Sequence, residues 1–166
     1  MGIDPGLTRC GYAVVAMESV SHIRPLSLGV IRTDRDQDLA GRLAQLHSDI
    51  EALLHEFSPH AVAVEQVFFQ NNVRTAMSVG QASGIALALA QRHGCVVASY
   101  TPSQVKDAVA GWGGAGKQQI QKMVQARLGL ATIPQPADAA DAAAIALCHC
   151  SVVPFEFRRS AQRQSS

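Results

Sequence analysis

Apolar segments near the start of the chain alternate with turn residues, which predicts three β-strands. Gly2–Asp4 ends at the Pro5-Gly6 turn, and apolar runs follow at Tyr12–Met17 and Leu26–Ile31. Because the connections between these runs are short, we expect an antiparallel meander. The first strand is shorter than the usual ~5–6 residues, so we expect the natural start of the chain to lie a few residues upstream.

The middle of the chain switches between the helical and the strand pattern. Apolar residues at alternating spacings of four and three predict a helix that ends before Pro59; they are Leu39, Leu43, Leu46, Ile50 and Leu53. The nearly continuous apolar run Ala61–Val67 predicts a central strand buried on both faces. A second helix over Val73–Arg92 and a fifth strand over Cys95–Tyr100 are expected next.

Three further helices are predicted over Ser103–Ala110, Gly116–Leu128 and Ala137–Val152. The segment from Pro154 onward is rich in Arg and Ser and predicts a disordered tail. This order of elements predicts an α/β fold, a five-stranded mixed sheet with helices on both faces. We therefore expect one domain over residues 1–153, which suits a chain of 166 residues, and a basic tail over residues 154–166.

The amino-acid composition indicates which residues form the core and which cellular location to expect. Aromatic residues make up only 5% of the chain, so the core must consist mainly of Ala, Val, Leu and Ile. No apolar run approaches the ~20 residues that a membrane span needs. The four cysteines form no CxxC pair, and the spacing of Cys148-His149-Cys150 is wrong for a zinc site. We expect buried, reduced thiols and a cytoplasmic location.

Charge is unevenly distributed, although the net charge of +1 favours no partner by itself. From Gln66 onward Lys and Arg outnumber Asp and Glu, and two of the acids there, Asp138 and Asp141, are candidate metal ligands. With cations bound, the surface that meets a substrate would be more positive than the total indicates.

Four acidic residues stand in unusual places. Asp4 ends an apolar strand, and Glu65 lies inside the apolar run of the central strand, where an unpaired charge costs several kcal/mol. Asp138 and Asp141 share one face of an alanine-rich helix, with no basic residue nearby in sequence to neutralise them. Taken singly, Asp4 could cap its turn and Asp138 could cap its helix. One shared explanation is a site for Mg²⁺ or Mn²⁺, which prefer such oxygen ligands.

Carboxylates that hold two divalent ions ~3.5–4 Å apart suit the hydrolysis of a phosphodiester. One ion lowers the pKa of the attacking water, and the other stabilises the departing 3′ oxygen. No Ser in the chain has a GxSxG setting, so we predict direct in-line hydrolysis without a protein nucleophile.

Five short segments in this order resemble the RuvC family of Holliday junction resolvases; they are Gly2–Gly6, Val64–Phe68, Gly80–Gly84, Ser103–Lys106 and Ala137–Ala142. The resemblance covers about residues 1–150. It implies a ribonuclease H-like fold and a homodimer that nicks a four-way DNA junction symmetrically, in recombination and DNA repair. It also implies a branch-migration helicase as partner.

By motif position, the resemblance assigns the metal-binding carboxylates of the family to Asp4, Glu65, Asp138 and Asp141. Some relatives have a histidine at the position of Asp138, which makes that ligand the least constant of the four.

Further residues match DNA-contacting positions of the family. Lys106 and Lys117 resemble its phosphate-contacting lysines, and Lys117 also stands at a predicted helix start, where backbone N–H groups favour phosphate. The pattern of a P-loop is not met, because Gln118 follows that lysine. Phe68 matches the aromatic that stacks on bases at the junction, and Phe69 lies beside it; core packing is the alternative for both. Arg74 is a candidate phosphate contact.

The helix over Val73–Arg92 carries small residues that would allow a second helix to approach across a twofold axis, or would simply pack on the sheet. The alternative functions are another ribonuclease H-like nuclease, which acts on RNA or RNA–DNA hybrids, and a non-catalytic nucleic-acid-binding module. A sugar-kinase-like or actin-like ATP-binding module would need a second, repeated domain, for which this chain is too short.

Overall fold

The computed structural model describes residues 1–19, 21–66 and 73–164, with the side chains of the last range described from 76 to 153. Five strands form one sheet in the order β3-β2-β1-β4-β5. Their bounds are Gly2–Asp4 for β1, Arg9–Ser19 for β2, His22–Arg32 for β3, Ala61–Glu65 for β4 and Val96–Tyr100 for β5. The first three strands are antiparallel neighbours, whereas β4 runs parallel to β1 and β5 parallel to β4. The predicted mixed sheet is confirmed.

Helices cover both faces of this sheet, as predicted. Their bounds are Leu39–Phe57 for α1, Val73–Arg92 for α2, Pro102–Ala110 for α3, Lys117–Arg127 for α4 and Ala137–Gln164 for α5. One apolar core joins α1 and α2 to one face. A second core joins α3, α4 and α5 to the other face. None of the helices in the described ranges is both long enough and apolar enough to cross a membrane.

The predicted boundaries of four elements differ clearly from the observed ones. The hairpin strands β2 and β3 are longer than their apolar centres, because their backbones stay paired from Arg9 with Arg32 to Ser19 with His22. The central strand ends at Glu65, so this acid lies at the end of a strand and not inside one. Helix α5 continues to Gln164 although we expected it to end at Val152 with a disordered segment after it.

The longer α5 has a physical reason. A proline inside a helix removes one backbone donor and can kink the helix without ending it, and Pro154 lies within α5. The division of the chain into a domain over residues 1–153 and a separate tail stays a prediction.

Helix α5 lies very close to the sheet. From Ala139 to Cys148 every residue except Asp141 is buried, and most of them are alanine. Opposite this helix, β1 and β2 carry Gly2 and Gly11, where a Cβ atom would collide with the α5 backbone. Small residues on both sides of the contact therefore allow α5 to press directly on the sheet.

Candidate active site at the carboxyl end of the central strands

The alternation of side chains along a strand places two of the acidic residues on one face of the sheet. Ile3 of β1 and Val64 of β4 pack in the core beneath α1 and α2. Their neighbours Asp4 and Glu65 therefore point to the opposite face, which α5 covers. The two strands pair in parallel, with Ile3 beside Val64, so Asp4 and Glu65 are neighbours where these strands end.

Gly11 brings the two acids of α5 to the same place. It pairs with Asp4 across β1 and β2, and a Cβ atom at position 11 would collide with the backbone of Asp138. The first turn of α5 consequently lies directly over the end of β1. Asp141 follows one turn later on the same helix face, which directs both aspartates of α5 toward the sheet carboxylates.

A cleft of about 260 Å³ lies at this point. Its polar lining consists of Asp4, Glu65, Asp141, Lys106 and Lys117. Asp138 does not line the cleft, although its charge acts on Asp4. The structure thus places three of the four predicted carboxylates and both predicted lysines around one cavity, and the fourth carboxylate beside it.

The two sheet carboxylates are held in an unfavourable environment for negative charge. Burial raises the pKa of Asp4 to about 7, and the charges of Glu65, Asp141 and Asp138 add to this rise. Burial likewise raises the pKa of Glu65, with a further contribution from Asp141, although Lys106 and Lys117 act in the opposite direction. A divalent cation is the partner that would make ionisation of such a group favourable.

The two α5 carboxylates, in contrast, each have a cation. Arg9 donates to Asp138 from two guanidinium nitrogens, with the Nε–Oδ2 distance at 2.9 Å. Lys117 Nζ donates to Asp141 Oδ2 at 2.8 Å. No basic residue near these two carboxylates in sequence neutralises them, as predicted. The partners lie far away in sequence, and tertiary packing alone brings them to α5.

These pairings shift the ionisation of the groups involved. Partial burial acts to raise the pKa of Asp138, but the hydrogen bonds and charge of Arg9 outweigh it and the pKa lies below its ordinary value. The hydrogen bond to Asp141 raises the pKa of Lys117. Asp138 also lies in the first turn of α5, after Ala137, and its carboxylate accepts from Arg9, so a simple capping role does not account for it.

The donor set suits a hard divalent cation. Among the described residues that line the cleft, the possible metal ligands are the carboxylates of Asp4, Glu65 and Asp141, and none is a His or Cys. Such a set of oxygen ligands favours Mg²⁺ or Mn²⁺ over softer metals. In the described residues, no three of the carboxylates have oxygens that all lie within 4.8 Å of one another.

The structure describes only some of the side chains that were predicted to contact DNA. Lys117 begins α4 after Gly116, whose N-cap position makes no side-chain hydrogen bond to the helix, so backbone N–H groups at this helix start lack a side-chain cap. Phe68 and Phe69 lie outside the described residues. Arg74 lies in the first turn of α2, but its side chain is also outside them.

Sequence reasoning missed Arg9. It stands between the Pro5-Gly6 turn and the apolar centre of β2, where it reads as an ordinary surface cation. The available signal was the alternation along β2: Arg9, Gly11 and Ala13 share one face, and Ala13 is buried in the core beneath α5. If the predicted β2 had included Arg9, this alternation would have placed its side chain on the face that α5 covers.

The chain is similar in sequence to known proteins. A family model described as crossover junction endodeoxyribonuclease RuvC matches residues 1–149. A protein of that name from Leifsonia xyli is 50% identical over 149 residues, which covers 90% of this chain and 72% of the relative. Another from Corynebacterium jeikeium is 45% identical over 155 residues, covering 93% of this chain and 95% of the relative.

Solved structures are similar as well. Thermus thermophilus RuvC in complex with a Holliday junction substrate matches with a TM-score of 0.89 and 40% identity, covering 93% of this chain and 94% of that one. The yeast mitochondrial resolvase Ydc2 matches with a TM-score of 0.72 at 16% identity, a likeness of fold alone. The predicted ribonuclease H-like fold is confirmed.

Proposed function

We propose a function from one premise: this chain belongs to the crossover junction endodeoxyribonuclease RuvC family, a family of metal-dependent nucleases. We infer that it binds four-way DNA junctions and resolves them by paired symmetric nicks, in DNA recombination and repair. The observation that carries this function is the joint placement of Asp4, Glu65, Asp141, Lys106 and Lys117 around one cleft. Carboxylates for a metal and lysines for phosphate are what hydrolysis of a DNA backbone needs.

We propose that Asp4, Glu65, Asp138 and Asp141 hold two Mg²⁺ or Mn²⁺ ions. Such ions, when bound, activate water and stabilise the departing 3′ oxygen. Asp4 must be ionised to serve as a ligand, although its pKa is raised to about 7 in the metal-free site. Lys117 donates to Oδ2 of Asp141 at 2.8 Å, which leaves Oδ1 for a metal ion. The ammonium group of Lys117 lines the same cleft, in position for a phosphate of the DNA.

We assign Lys106 and Lys117 to the DNA backbone. Lys106 lies on α3 and Lys117 begins α4, and both line the cleft that holds Glu65. Phosphate contacts of this kind position the substrate without reading its sequence. Phe68, Phe69 and Arg74 stay predictions for the junction itself, by their match to the family motif.

We also propose that two copies of the chain act as a homodimer through α2. Its buried side, which includes Ala82, Ala86 and Leu89, packs on the sheet, whereas Gly80 and Gly84 are exposed with open space around them. These two glycines are therefore available for close approach by a second helix. A cytoplasmic location and a branch-migration helicase as partner complete the proposed setting; all four cysteines are buried free thiols, which suits a reducing compartment.

The decisive experiment compares wild type with Glu65→Gln on a synthetic four-way junction in Mg²⁺ or Mn²⁺. Linear duplex and RNA–DNA hybrid serve as control substrates. Glutamine keeps the size of the side chain but is a weaker metal ligand, so junction binding should persist while cleavage is lost. Symmetric nicks on the junction alone are the expected result for wild type.

Other outcomes have distinct meanings. Cleavage of the hybrid in place of the junction would keep the metal site and change the substrate to that of another ribonuclease H-like nuclease. Failure to cut any substrate with either ion, in both proteins, would overturn the proposed chemistry and favour a non-catalytic binding module.

A further inference from the structure

Three side chains with metal-binding atoms meet near the ends of α1 and α2. Glu51 and His55 are four residues apart on α1 and share one face of that helix, while His93 follows the last residue of α2. Their ligand atoms all lie within 4.8 Å of one another, which no other group of three His, Cys, Asp or Glu side chains achieves among residues 1–19, 21–66 and 76–153.

The arrangement is close to that of an open metal centre. His93 Nε2 lies 3.8 Å from Glu51 Oε1, and the rings of His55 and His93 meet edge to face with their centroids 4.7 Å apart. Ligand bonds of ~2.0–2.1 Å around a tetrahedral zinc ion separate the ligand atoms by about 3.3 Å. Small rotations of these partly or fully exposed side chains would close the remaining distance.

We propose that Glu51, His55 and His93 form a second metal site, which binds a borderline transition metal such as Zn²⁺ and links α1 to α2. Imidazole nitrogen suits Zn²⁺, whereas Mg²⁺ prefers the oxygen ligands of the carboxylate cleft. Two histidines and one glutamate leave a fourth position for water. His47 lies one turn before Glu51, with its Nδ1 4.0 Å from Glu51 Oε2, and would orient that carboxylate from outside the coordination shell.

This site is separate from the carboxylate cleft. Helix α1 ends at Phe57, before β4 begins at Ala61, and α2 ends at Arg92, before β5 begins at Val96. The cluster therefore lies near the amino ends of the two parallel strands, whereas Glu65 lies at the carboxyl end of β4. A bound ion would close the loop of chain between His55 and His93 and stabilise the packing of α1 on α2, without reaching the cleft.

The alternative for the same contacts is a group of surface ion pairs between protonated histidines and Glu51. Exposed pairs of that kind contribute ~0–1 kcal/mol to stability and have no affinity for a metal. Binding of one Zn²⁺ ion per chain therefore distinguishes a metal site from a group of surface ion pairs.

The test is calorimetric titration of Zn²⁺ into the whole chain, with excess Mg²⁺ present to occupy the carboxylate cleft. We expect one Zn²⁺ per chain for wild type. His55→Ala and His93→Ala should each weaken binding more than about tenfold, the lower end of what loss of an outer-shell partner costs. His22→Ala is the matched control: its side chain is exposed and pairs with Glu18 on the hairpin, so its affinity for Zn²⁺ should equal that of wild type.

Thermal unfolding provides a second readout that does not depend on cleavage. Zn²⁺ should raise the Tm of wild type and of Glu65→Gln, but not that of His93→Ala. In EDTA the exposed His55→Ala variant should unfold at the wild-type temperature, which excludes misfolding as the cause of lost binding. Absence of Zn²⁺ binding by wild type, unchanged binding by both histidine variants, or loss of binding in Glu65→Gln would each overturn the second site.

Discussion

The two pairs of acidic residues in the cleft region differ in how their charge is balanced. Asp4 and Glu65 end neighbouring strands, and within the described residues neither forms an ion pair. Asp138 and Asp141 lie on α5, and each accepts hydrogen bonds from a cation. The repulsion within the sheet pair is thus eased only by the more distant charges of Lys106 and Lys117, whereas each acid of the helix pair is held by its own cation.

This difference indicates a division of roles. Burial and mutual repulsion raise the pKa of both sheet carboxylates. A bound divalent cation would therefore stabilise the ionised form of these two carboxylates most. Because Arg9 keeps the pKa of Asp138 below its ordinary value, that carboxylate is ionised and oriented over a wide pH range. In the proposed metal site, the sheet would supply carboxylates that need a cation to ionise, and the helix would supply carboxylates already held by Arg9 and Lys117.

Replacing one sheet carboxylate should have the largest effect. Asp4→Asn removes a proposed ligand at the centre of the group, and we expect junction cleavage to fall more than about a hundredfold, beyond the loss typical of an outer-shell partner. Junction binding should fall much less. Single-turnover cleavage beside a gel-shift titration measures the two effects. A variant that still cleaves at the wild-type rate would remove Asp4 from the ligand set.

The same substitution should stabilise the metal-free protein at neutral and alkaline pH. Because the pKa of Asp4 is raised from 3.8 to about 7 in the folded state, the stability contributed by protonated Asp4 is complete below about pH 4. It is lost as the pH rises through about 7. Asp4→Asn should therefore exceed wild type by up to about 4 kcal/mol at pH 8 in EDTA.

Urea unfolding of both proteins at several pH values between 4 and 8 measures this difference. Mg²⁺ should reverse it, since the cation binds only the wild-type carboxylate. A difference between the two proteins that does not change with pH would contradict the raised pKa.

Gly11→Ala tests the contact that brings the helix pair to the sheet pair. A Cβ atom at this position collides with the backbone of Asp138, so the start of α5 must move. Overpacking of this kind costs ~1–3 kcal/mol, and cleavage should fall because Asp138 is displaced from Asp4. Gly41→Ala, at an exposed position of α1 where an added Cβ atom meets only the side chains of Asp38 and Gln37, is the control for the loss of a glycine. Equal stability of the two variants would contradict the close approach of α5.

Arg9→Gln should have a smaller effect, because it removes the group that holds Asp138 while leaving the carboxylate in place. We expect cleavage to fall about tenfold, in the range typical of partners that orient a ligand, with a change in stability below ~1 kcal/mol. Arg32, which pairs with Arg9 across β2 and β3 and is exposed, provides the control variant Arg32→Gln. If both variants cleave alike, Arg9 has no special role in holding Asp138.

Lys117→Gln should produce the smallest change in binding. If its ammonium group contacts one phosphate, the slope of log affinity against log salt should decrease by about 1. Lys122→Gln, on the same helix but absent from the lining of the cleft, should keep the wild-type slope. Equal slopes for both variants would assign Lys117 to Asp141 alone.

Much of the fold was determined by local patterns in the sequence. Alternation of apolar residues predicted the meander, and helical spacing predicted α1 over the stretch it occupies, Leu39–Phe57. The same reading placed Asp4 at the end of a strand and the two α5 aspartates on one face. These features depend on residues close together in the chain, whose spacing reports the secondary structure directly.

Tertiary structure alone decided the remaining features. The partner of Asp138 is 129 residues away in sequence, and the cluster of Glu51 and His55 with His93 joins two helices that no pattern connects. Glu65 proved to be the last residue of its strand, because pairing with β1 and β5, and not hydrophobicity, sets where β4 ends. Periodicity describes one element at a time, whereas the charge partners of a buried carboxylate depend on which elements pack together.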